Sequence, residues 1–472
     1  MTTERYDLII IGGGSGGLTA AGFAVQLGAH VTLVEKHRIG GDCTWTGCVP
    51  SKTLLKAAKV AHEMSSADRY GLTSVKPTTD LRSVMSHVRE VIAGVYQHES
   101  PEALQADGID VFLGNAEFLD SHTIMVEEAT LTANHFLICT GAHPFIPPVP
   151  GLDSVNYLTY ENIWDLEVLP HHLIIIGGGP IGCEMAQAFH RLGSKVTILE
   201  AGDRILPRDD LSASRVLTQV LSDEGIELRL NSAAEDVRKD GDEIQLVAGG
   251  EPIMADALLV AIGRRANVNG LGLDQAGVNY SPKGIQVDDH LRTSQGHIYA
   301  AGDCVGGYQF THYAGWQAFA AVRNALLPGS SKGVTDLVPW TTFTDPEVAH
   351  IGLLEEEARH KFGDDVMVCN WPMDKVDRAR AEGDTAGFVK LVHKKDGKLL
   401  GATIVASRAG ETIHEFVLAL DRGLKVGDLA HAIHIYPTYS TAVMQAAADI
   451  RVNQWLSSTT GRLVRGIARL IR

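Results

Sequence analysis

Asp7-Leu8-Ile9-Ile10-Ile11-Gly12-Gly13-Gly14-Ser15-Gly16-Gly17 is the stretch on which the fold turns. A short apolar run ends in a glycine-rich turn. Helical periodicity then runs through Leu27, and a second apolar strand, Val31–Val34, stops at Glu35. The plan returns about 165 residues later. Leu173-Ile174-Ile175-Ile176 leads into Gly177-Gly178-Gly179-Pro180-Ile181-Gly182, a helix through Leu192, and a strand, Val196–Leu199, that stops at Glu200. Both copies hold G-x-G-x-x-G: Gly12, Gly14 and Gly17 in the first, with Ser15 in the turn, and Gly177, Gly179 and Gly182 in the second. Such glycines permit a tight turn and close approach of a pyrophosphate. The helix N-terminus favours the anion, and the acid ending the next strand accepts from a ribose hydroxyl.

One such fingerprint is weak. Two in strand–turn–helix context predict two Rossmann-like dinucleotide-binding domains. The fold class expected is α/β, completed by an α+β C-terminal dimerisation domain. The boundaries expected are 1–148 for the first part of the first nucleotide-binding domain, 149–263 for the second nucleotide-binding domain and 264–337 for the return of the first. The interface domain covers 338–456, and 457–472 is a basic tail. Pro144–Gly151 reads as a linker. Strands are predicted at Phe388–Val392 and Leu400–Ala406, and a helix over Gly410–Arg422.

Bulk numbers set limits. At 472 residues, 45% hydrophobic and 21% charged, the chain suits a multidomain globular protein. A formal charge of −16 argues against general nucleic-acid binding. No apolar run reaches the roughly 18–20 residues of a membrane span. The N-terminal stretch lacks a signal-peptide pattern, so a cytoplasmic setting is expected.

Between the fingerprints lies Gly40-Gly41-Asp42-Cys43-Thr44-Trp45-Thr46-Gly47-Cys48-Val49-Pro50-Ser51-Lys52. No further ligands at short spacing suggest zinc, so no metal site is expected. A redox pair held against a flavin is the reading the placement favours. Residues five apart on an ideal helix stand about 8–9 Å apart, beyond the about 4.4–6.8 Å a disulfide needs. The segment must therefore bend, with Gly47 supplying the freedom. Pro50 suits the first turn of the following helix. That puts Cys48 near a positive helix end, which favours its thiolate.

With these motifs the chain resembles the class I pyridine nucleotide–disulfide oxidoreductase family, which includes glutathione, lipoamide and mercuric reductases. Thr293–Asp303 is similar to the family's second FAD motif, which implies Asp303 on the flavin's ribityl or ribose chain. Ile138-Cys139-Thr140-Gly141 and Ala261-Ile262-Gly263-Arg264 are similar to its strand-end glycine motifs, bringing in Thr140, Gly141 and Gly263. The resemblance implies that the first fingerprint, with 1–148 and 264–337 as the FAD-binding domain, holds FAD, that the second, in 149–263 as the NAD(P)-binding domain, holds a nicotinamide nucleotide, and that Lys52 and Glu184 pair near the flavin. It also implies Cys48 beside the ring, Cys43 facing substrate, and a homodimer in which the loop around Tyr436 completes the partner's site. NADH is expected as donor, because Glu200 would repel a 2′-phosphate. NADPH stays as the alternative through Arg204 and Arg208.

The chain departs from the family where most members carry a His-Pro-Thr motif and a Glu. Here Tyr436 stands in the His position and Thr441 in the Glu position. Tyrosine, of reference pKa about 10, is a poor base at neutral pH. His434 reads as a substitute base or a packed loop histidine. Mercuric reductases resemble the chain in placing Tyr there, yet no Cys follows Cys369 to form their C-terminal pair. The expected function is electron transfer from NAD(P)H through FAD and Cys43–Cys48 to a small-molecule or thiol/disulfide acceptor, in the manner of mercuric reductase. A dihydrolipoamide dehydrogenase is one alternative. A non-catalytic, membrane-associated interaction protein on the same fold is another. Cys139, Cys183, Cys304 and Cys369 read as buried packing residues, with His312, Trp45 and Trp316 as packing or substrate-side groups. Residues 461–472 form a basic amphipathic pattern suited to peripheral contact with an anionic membrane or to an acidic partner.

Overall fold

The structure is a computed structural model that describes the backbone of residues 5–471 and side chains through residue 465. It divides into two compact units, Met1–Leu199 with Ser232–Thr335, and Glu200–Asn231 with Asp336–Arg472.

In the first unit, strand β1 (Arg5–Ile11) leads to helix α1 (Ser15–Gln26) and strand β2 (Val31–Glu35). β1 lies in mid-sheet, parallel to β2 on one side and to Ala129–Ile138 on the other. Ile9 therefore faces both Thr32 and Phe136 along the ladder. Such a strand is covered on both faces, which is why it reads as a nearly unbroken apolar run. Asp110–Leu113 extends the sheet beyond β2. Ile298–Ala300 pairs parallel with Ala129–Ile138, and an antiparallel ribbon, Ala116–Asp120 with Thr123–Val126, completes it. On one face Ala20, Ala21 and Ala24 of α1 share a core with Ala318, Ala321 and Val322 of the helix Thr311–Leu326. Small residues permit this close helix contact.

The second nucleotide fold of this unit repeats the geometry. His172–Ile176 runs parallel to Lys195–Leu199 and to Ala257–Val260, and the helix Pro180–Leu192 connects the first two. A three-stranded meander, Ala234–Asp240, Glu243–Ala248 and Glu251–Ala255, packs Val237, Ile244 and Leu246 against Ile174 and Ile176.

The second unit holds an antiparallel sheet in the order Trp340–Thr342, Glu347–Gly352, Leu399–Ala406, Phe388–Lys394, Val366–Pro372. All eight residues of Leu399–Ala406 are buried. The helix expected over Gly410–Arg422 is two short ones, Ala409–Thr412 and His414–Asp421. With Thr441–Ser457 they cover the sheet through Ile413, Phe416, Ala442 and Ala446. Mixed α/β architecture with an α+β C-terminal part is thus what the chain adopts.

The tail forms a helix, Thr459–Ile471. Leu463 and Val464 are exposed, and Arg465 donates to the Leu456 carbonyl at 2.6 Å. The rest of the amphipathic pattern, Ile467, Ala468, Arg469, Leu470, Ile471 and Arg472, lies outside the described side chains. Among the described residues no helix is long and apolar enough to cross a membrane.

Candidate active site

The three glycines of each fingerprint do three different jobs. Gly12 has φ +109°, and a Cβ there would stand 2.3 Å from the Cys139 carbonyl oxygen, so only glycine makes the turn. A Cβ on Gly17 would meet the Gly12 carbonyl oxygen at 1.9 Å, which seats α1 directly on the strand end. Gly14, the N-cap of α1, has no side chain with which to cap the helix, and a Cβ there would stand 3.7 Å from Gly41 Cα. The second copy matches. Gly177 has φ +111° against the Ala261 carbonyl, Gly182 packs on Gly177, and nothing described lies within 4 Å of a Cβ at Gly179. Each helix end thus presents backbone N–H groups to a space shaped for a dinucleotide's phosphates, and the residues fit the two nucleotides.

The acids behave differently from ligands in waiting. Glu35 accepts from the Gly13 N–H at 2.7 Å and from His37 N–H at 2.8 Å, and Glu200 accepts from Gly202 N–H at 2.7 Å. Each carboxylate is thereby aimed by its own turn. Arg204 donates to the Pro207 carbonyl at 2.9 Å. Thr140 donates to the Asn267 carbonyl at 2.7 Å, and Gly141 and Gly263 both have positive φ with open space at the Cβ position.

The redox loop is laid across the first fingerprint. Gly40 N–H donates to the Gly13 carbonyl at 2.8 Å, and a Cβ on Gly41 would stand 2.7 Å from Gly14 Cα. Helix α2 (Gly41–Trp45) carries Cys43, and helix α3 (Cys48–Ser65) begins at Cys48. The bend between them is the one expected, but Gly47 serves it differently. Its φ is −114°, an ordinary value, and a Cβ would meet the Asp42 carbonyl at 2.8 Å. Close approach, not a left-handed backbone, is what requires glycine.

Cys43 and Cys48 are free thiols in hydrogen-bond contact. Cys48 is pushed down to about 6, first by the hydrogen bond from Cys43, with burial opposing and the Thr311 hydroxyl and Lys52 assisting. Cys43 is held well above the usual thiol range by that same hydrogen bond, then by burial and by the charge on Cys48. Thr311 Oγ1 lies 3.2 Å from Cys48 Sγ, at the start of the helix Thr311–Leu326. Lys52, one turn after Cys48, reaches Glu184 Oε2 at 2.9 Å, where Glu184 is buried on the helix of the second fingerprint. The pair is therefore brought together across 132 residues.

A partly buried cluster missed in the sequence lies beside this loop. Arg264 donates to both Asp303 and Asp42, and its Nε lies 3.1 Å from the Tyr160 hydroxyl. Asp303, expected to reach the flavin, thus also anchors Arg264, and burial raises its pKa against the pull of the guanidinium. Arg264 follows Gly263 directly and opens the short strand Arg264–Ala266, and a charged residue just after a strand-end glycine is the available signal.

In the second unit Tyr436 is exposed and its hydroxyl donates to Asp377, which raises its pKa. His434 has Nε2 2.8 Å from Glu415 and Nδ1 3.0 Å from the Ala432 carbonyl, so both ring nitrogens face acceptors of its own region. Thr441 is buried, donating to the Ile435 carbonyl at 3.2 Å.

Other residues resolve simply. Cys139, Cys183 and Cys304 are buried, whereas Cys369 is only half-buried because Val366–Pro372 is an edge strand. Trp45 donates to the Ile39 carbonyl at 2.7 Å and tilts on Tyr96, a packing role. Trp316 and His312 are exposed on the helix that begins beside Cys48.

Residues 6–318 match the pyridine nucleotide-disulphide oxidoreductase family, and residues 338–447 match its dimerisation domain, which supports a homodimer. The mercuric reductase of Bacillus cereus is 36% identical over 447 residues, covering 93% of this chain and 71% of that protein. The dihydrolipoyl dehydrogenase of Thermus scotoductus is 37% identical, covering 94% and 97%. Among solved structures, the HOCl-induced flavoprotein disulfide reductase RclA from Escherichia coli is 30% identical with a TM-score of 0.85, covering 94% of this chain and 99% of that one. The chain accordingly belongs to the pyridine nucleotide-disulphide oxidoreductase family of FAD-dependent, NAD(P)H-using enzymes.

Proposed function

We propose that the protein passes electrons from NADH to the Cys43–Cys48 pair and on to a thiophilic metal ion. Gly12, Gly14, Ser15, Gly17, Glu35, Thr140, Gly141, Gly263 and Asp303 would hold FAD, and Gly177, Gly179, Gly182 and Glu200 the nicotinamide nucleotide. The frame is the five-part division at 148, 263, 337 and 456. FAD, when bound, links the two-electron chemistry of the nucleotide to that of the thiols. Cys48, its thiolate favoured by Cys43, Thr311 and Lys52, is the thiol for the flavin side. Cys43, which holds its proton, faces the acceptor.

The observation that carries the choice of acceptor is Tyr436, whose hydroxyl is committed to Asp377 and whose pKa is raised. Reducing a disulfide to two thiols takes up two protons as well as two electrons. Reducing a metal ion by two electrons takes up none. A site with a tyrosine in the acid–base position suits the second reaction. Mercuric reductases among the relatives, and a solved Cu(II) complex of RclA, support the same acceptor class. A second reading, dihydrolipoamide oxidation, is favoured by the relative from Thermus scotoductus.

The test is an acceptor panel with NADH: Hg²⁺ and Cu²⁺, glutathione disulfide, and dihydrolipoamide with NAD⁺ in the reverse direction. Metal-dependent NADH oxidation should dominate, and installing Tyr436→His with Thr441→Glu should raise glutathione-disulfide turnover. Fast wild-type turnover of glutathione disulfide or dihydrolipoamide at neutral pH would overturn the choice. In the same reading the tail, with exposed Leu463 and Val464 and its arginines, would give peripheral contact with anionic lipid.

A further inference from the structure

Asp42 precedes Cys43 in the short helix α2 and is held from two directions. Its carboxylate accepts from Arg264, and the Tyr160 hydroxyl lies 3.3 Å from the same oxygen. Its main-chain carbonyl accepts from Thr46 N–H at 2.9 Å and from Gly47 N–H at 2.5 Å, closing the turn that delivers Cys48 to Cys43. The frame on the far side is itself fixed. Arg264, 18% exposed, also binds the carboxylate of Asp303, 13% exposed. The Trp164 indole N–H bridges the Tyr160 carbonyl at 2.8 Å and the Thr46 carbonyl at 3.0 Å. One side chain therefore fastens the cysteine turn to a largely covered cation, and one carbonyl sets the turn's closure.

We infer that Asp42 is a positioning residue for the redox pair: by pinning the turn it keeps the two thiols close in the reduced state and so favours disulfide formation. The inference rests on the reading of Cys43–Cys48 as a redox couple. Forming the disulfide breaks the Cys43 S–H bond, and that of Cys48 where it is protonated, and makes one S–S bond. Two electrons pass to an oxidised dithiol reagent, whose S–S bond breaks; it becomes a dithiol by taking up two protons, one from Cys43 and one from Cys48 or, where Cys48 is a thiolate, from water. The chain entropy lost on bringing the sulfurs together is smaller when the turn is already ordered. Releasing Asp42 should therefore move the equilibrium toward the dithiol. Arg264 keeps Asp303 as partner in that case, so the largely covered cation is not left unpaired.

The experiment equilibrates the full-length, FAD-loaded protein in dithiothreitol buffers of graded oxidation, traps thiols with an alkylating agent and counts them by mass. Asp42→Ala should shift the dithiol–disulfide equilibrium toward dithiol at least tenfold, about 30 mV for two electrons. Asp42→Asn, whose amide oxygen can still accept from Arg264, should shift it less than threefold. Thr44→Ala, which removes the bond from the same helix to Glu99, should leave it in place. If Asp42→Ala proves unfolded or loses FAD, Tyr160→Phe takes over, with a shift of about threefold expected. A folded Asp42→Ala protein (or, in its place, Tyr160→Phe) with the wild-type equilibrium, or an Asp42→Asn shift as large as that of Asp42→Ala, overturns the inference. A wild-type protein that forms no Cys43–Cys48 bridge at any ratio overturns the underlying reading instead, so the two failures are distinguishable.

Discussion

The two glycine fingerprints share one geometry but not one covering. Over the first, the chain lays its own redox loop: Gly41 Cα stands 3.7 Å from where a Cβ at Gly14 would be, and Gly40 donates to Gly13. Over the second, nothing described comes within 4 Å of a Cβ at Gly179. A nucleotide enclosed by its own protein's loop leaves slowly, whereas one at an open turn can exchange on each turnover. The same local sequence logic thus suits a resident cofactor in one place and a diffusing cosubstrate in the other, and the surrounding chain makes the difference.

The strongest way to break this comparison is to damage each turn equally. Gly17→Val and Gly182→Val both drive a side chain into a carbonyl oxygen 1.9 Å from the ideal Cβ position. Overpacking of this kind costs about 1–3 kcal/mol or more. Gly17→Val should purify without yellow colour or fail to fold, while Gly182→Val should keep its FAD absorbance and lose NADH binding. Equal loss of flavin in the two would show that the turns are not specialised.

Cys48 sharpens the first half of the comparison. In the reduced protein its alkylation by iodoacetamide should rise through about pH 6, whereas an ordinary thiol rises near pH 8.5. The sign follows from the thiolate being the nucleophile: reactivity is lost as pH falls through the lowered pKa. At pH 7 the thiolate fraction should exceed that of an ordinary thiol by about thirtyfold. Lys52→Met should move the midpoint upward. A midpoint near 8.5 in the wild type would remove the favoured-thiolate assignment.

The second turn is tested by its acid. Flavin reduction by NADH should outpace that by NADPH by about tenfold, equivalent to about 1.4 kcal/mol, and Glu200→Gln should narrow the gap. A preference for NADPH would shift attention to Arg204 and Arg208. The smallest effect belongs to the tail. A chain truncated after residue 456 should co-sediment with anionic vesicles a few-fold less than the full chain, a difference that fades with salt because near-surface basic residues contribute about 1 kcal/mol each. Equal sedimentation would remove lipid from the account.

Much of the fold is readable from local pattern. The strand–turn–helix segments at Arg5–Glu35 and His172–Leu199 are periodic apolar runs punctuated by glycine, so their existence needs no distant partner. The helix behind Cys48 is announced by Pro50 in the same way. Boundaries that depend on tertiary cover are less legible, as where Gly410–Arg422 breaks into two helices at Ile413. Trp45 illustrates the same limit at the site. Its place between the cysteines suggests contact with substrate, yet its indole turns to the Ile39 carbonyl and Tyr96.

By itself, then, the sequence determined the two nucleotide folds, the bend between Cys43 and Cys48, and the departure at Tyr436, because each is written within a few consecutive residues. Only the tertiary structure decided that Arg264 would bind Asp42 across 222 residues and Asp303 across 39. It also decided that Thr311 would stand beside Cys48 and that His434 would be held by Glu415. The physical reason is that a buried charge must find a partner wherever the packed chain provides one. The order of strands in the sheet, rather than the spacing along the chain, sets which partners are near.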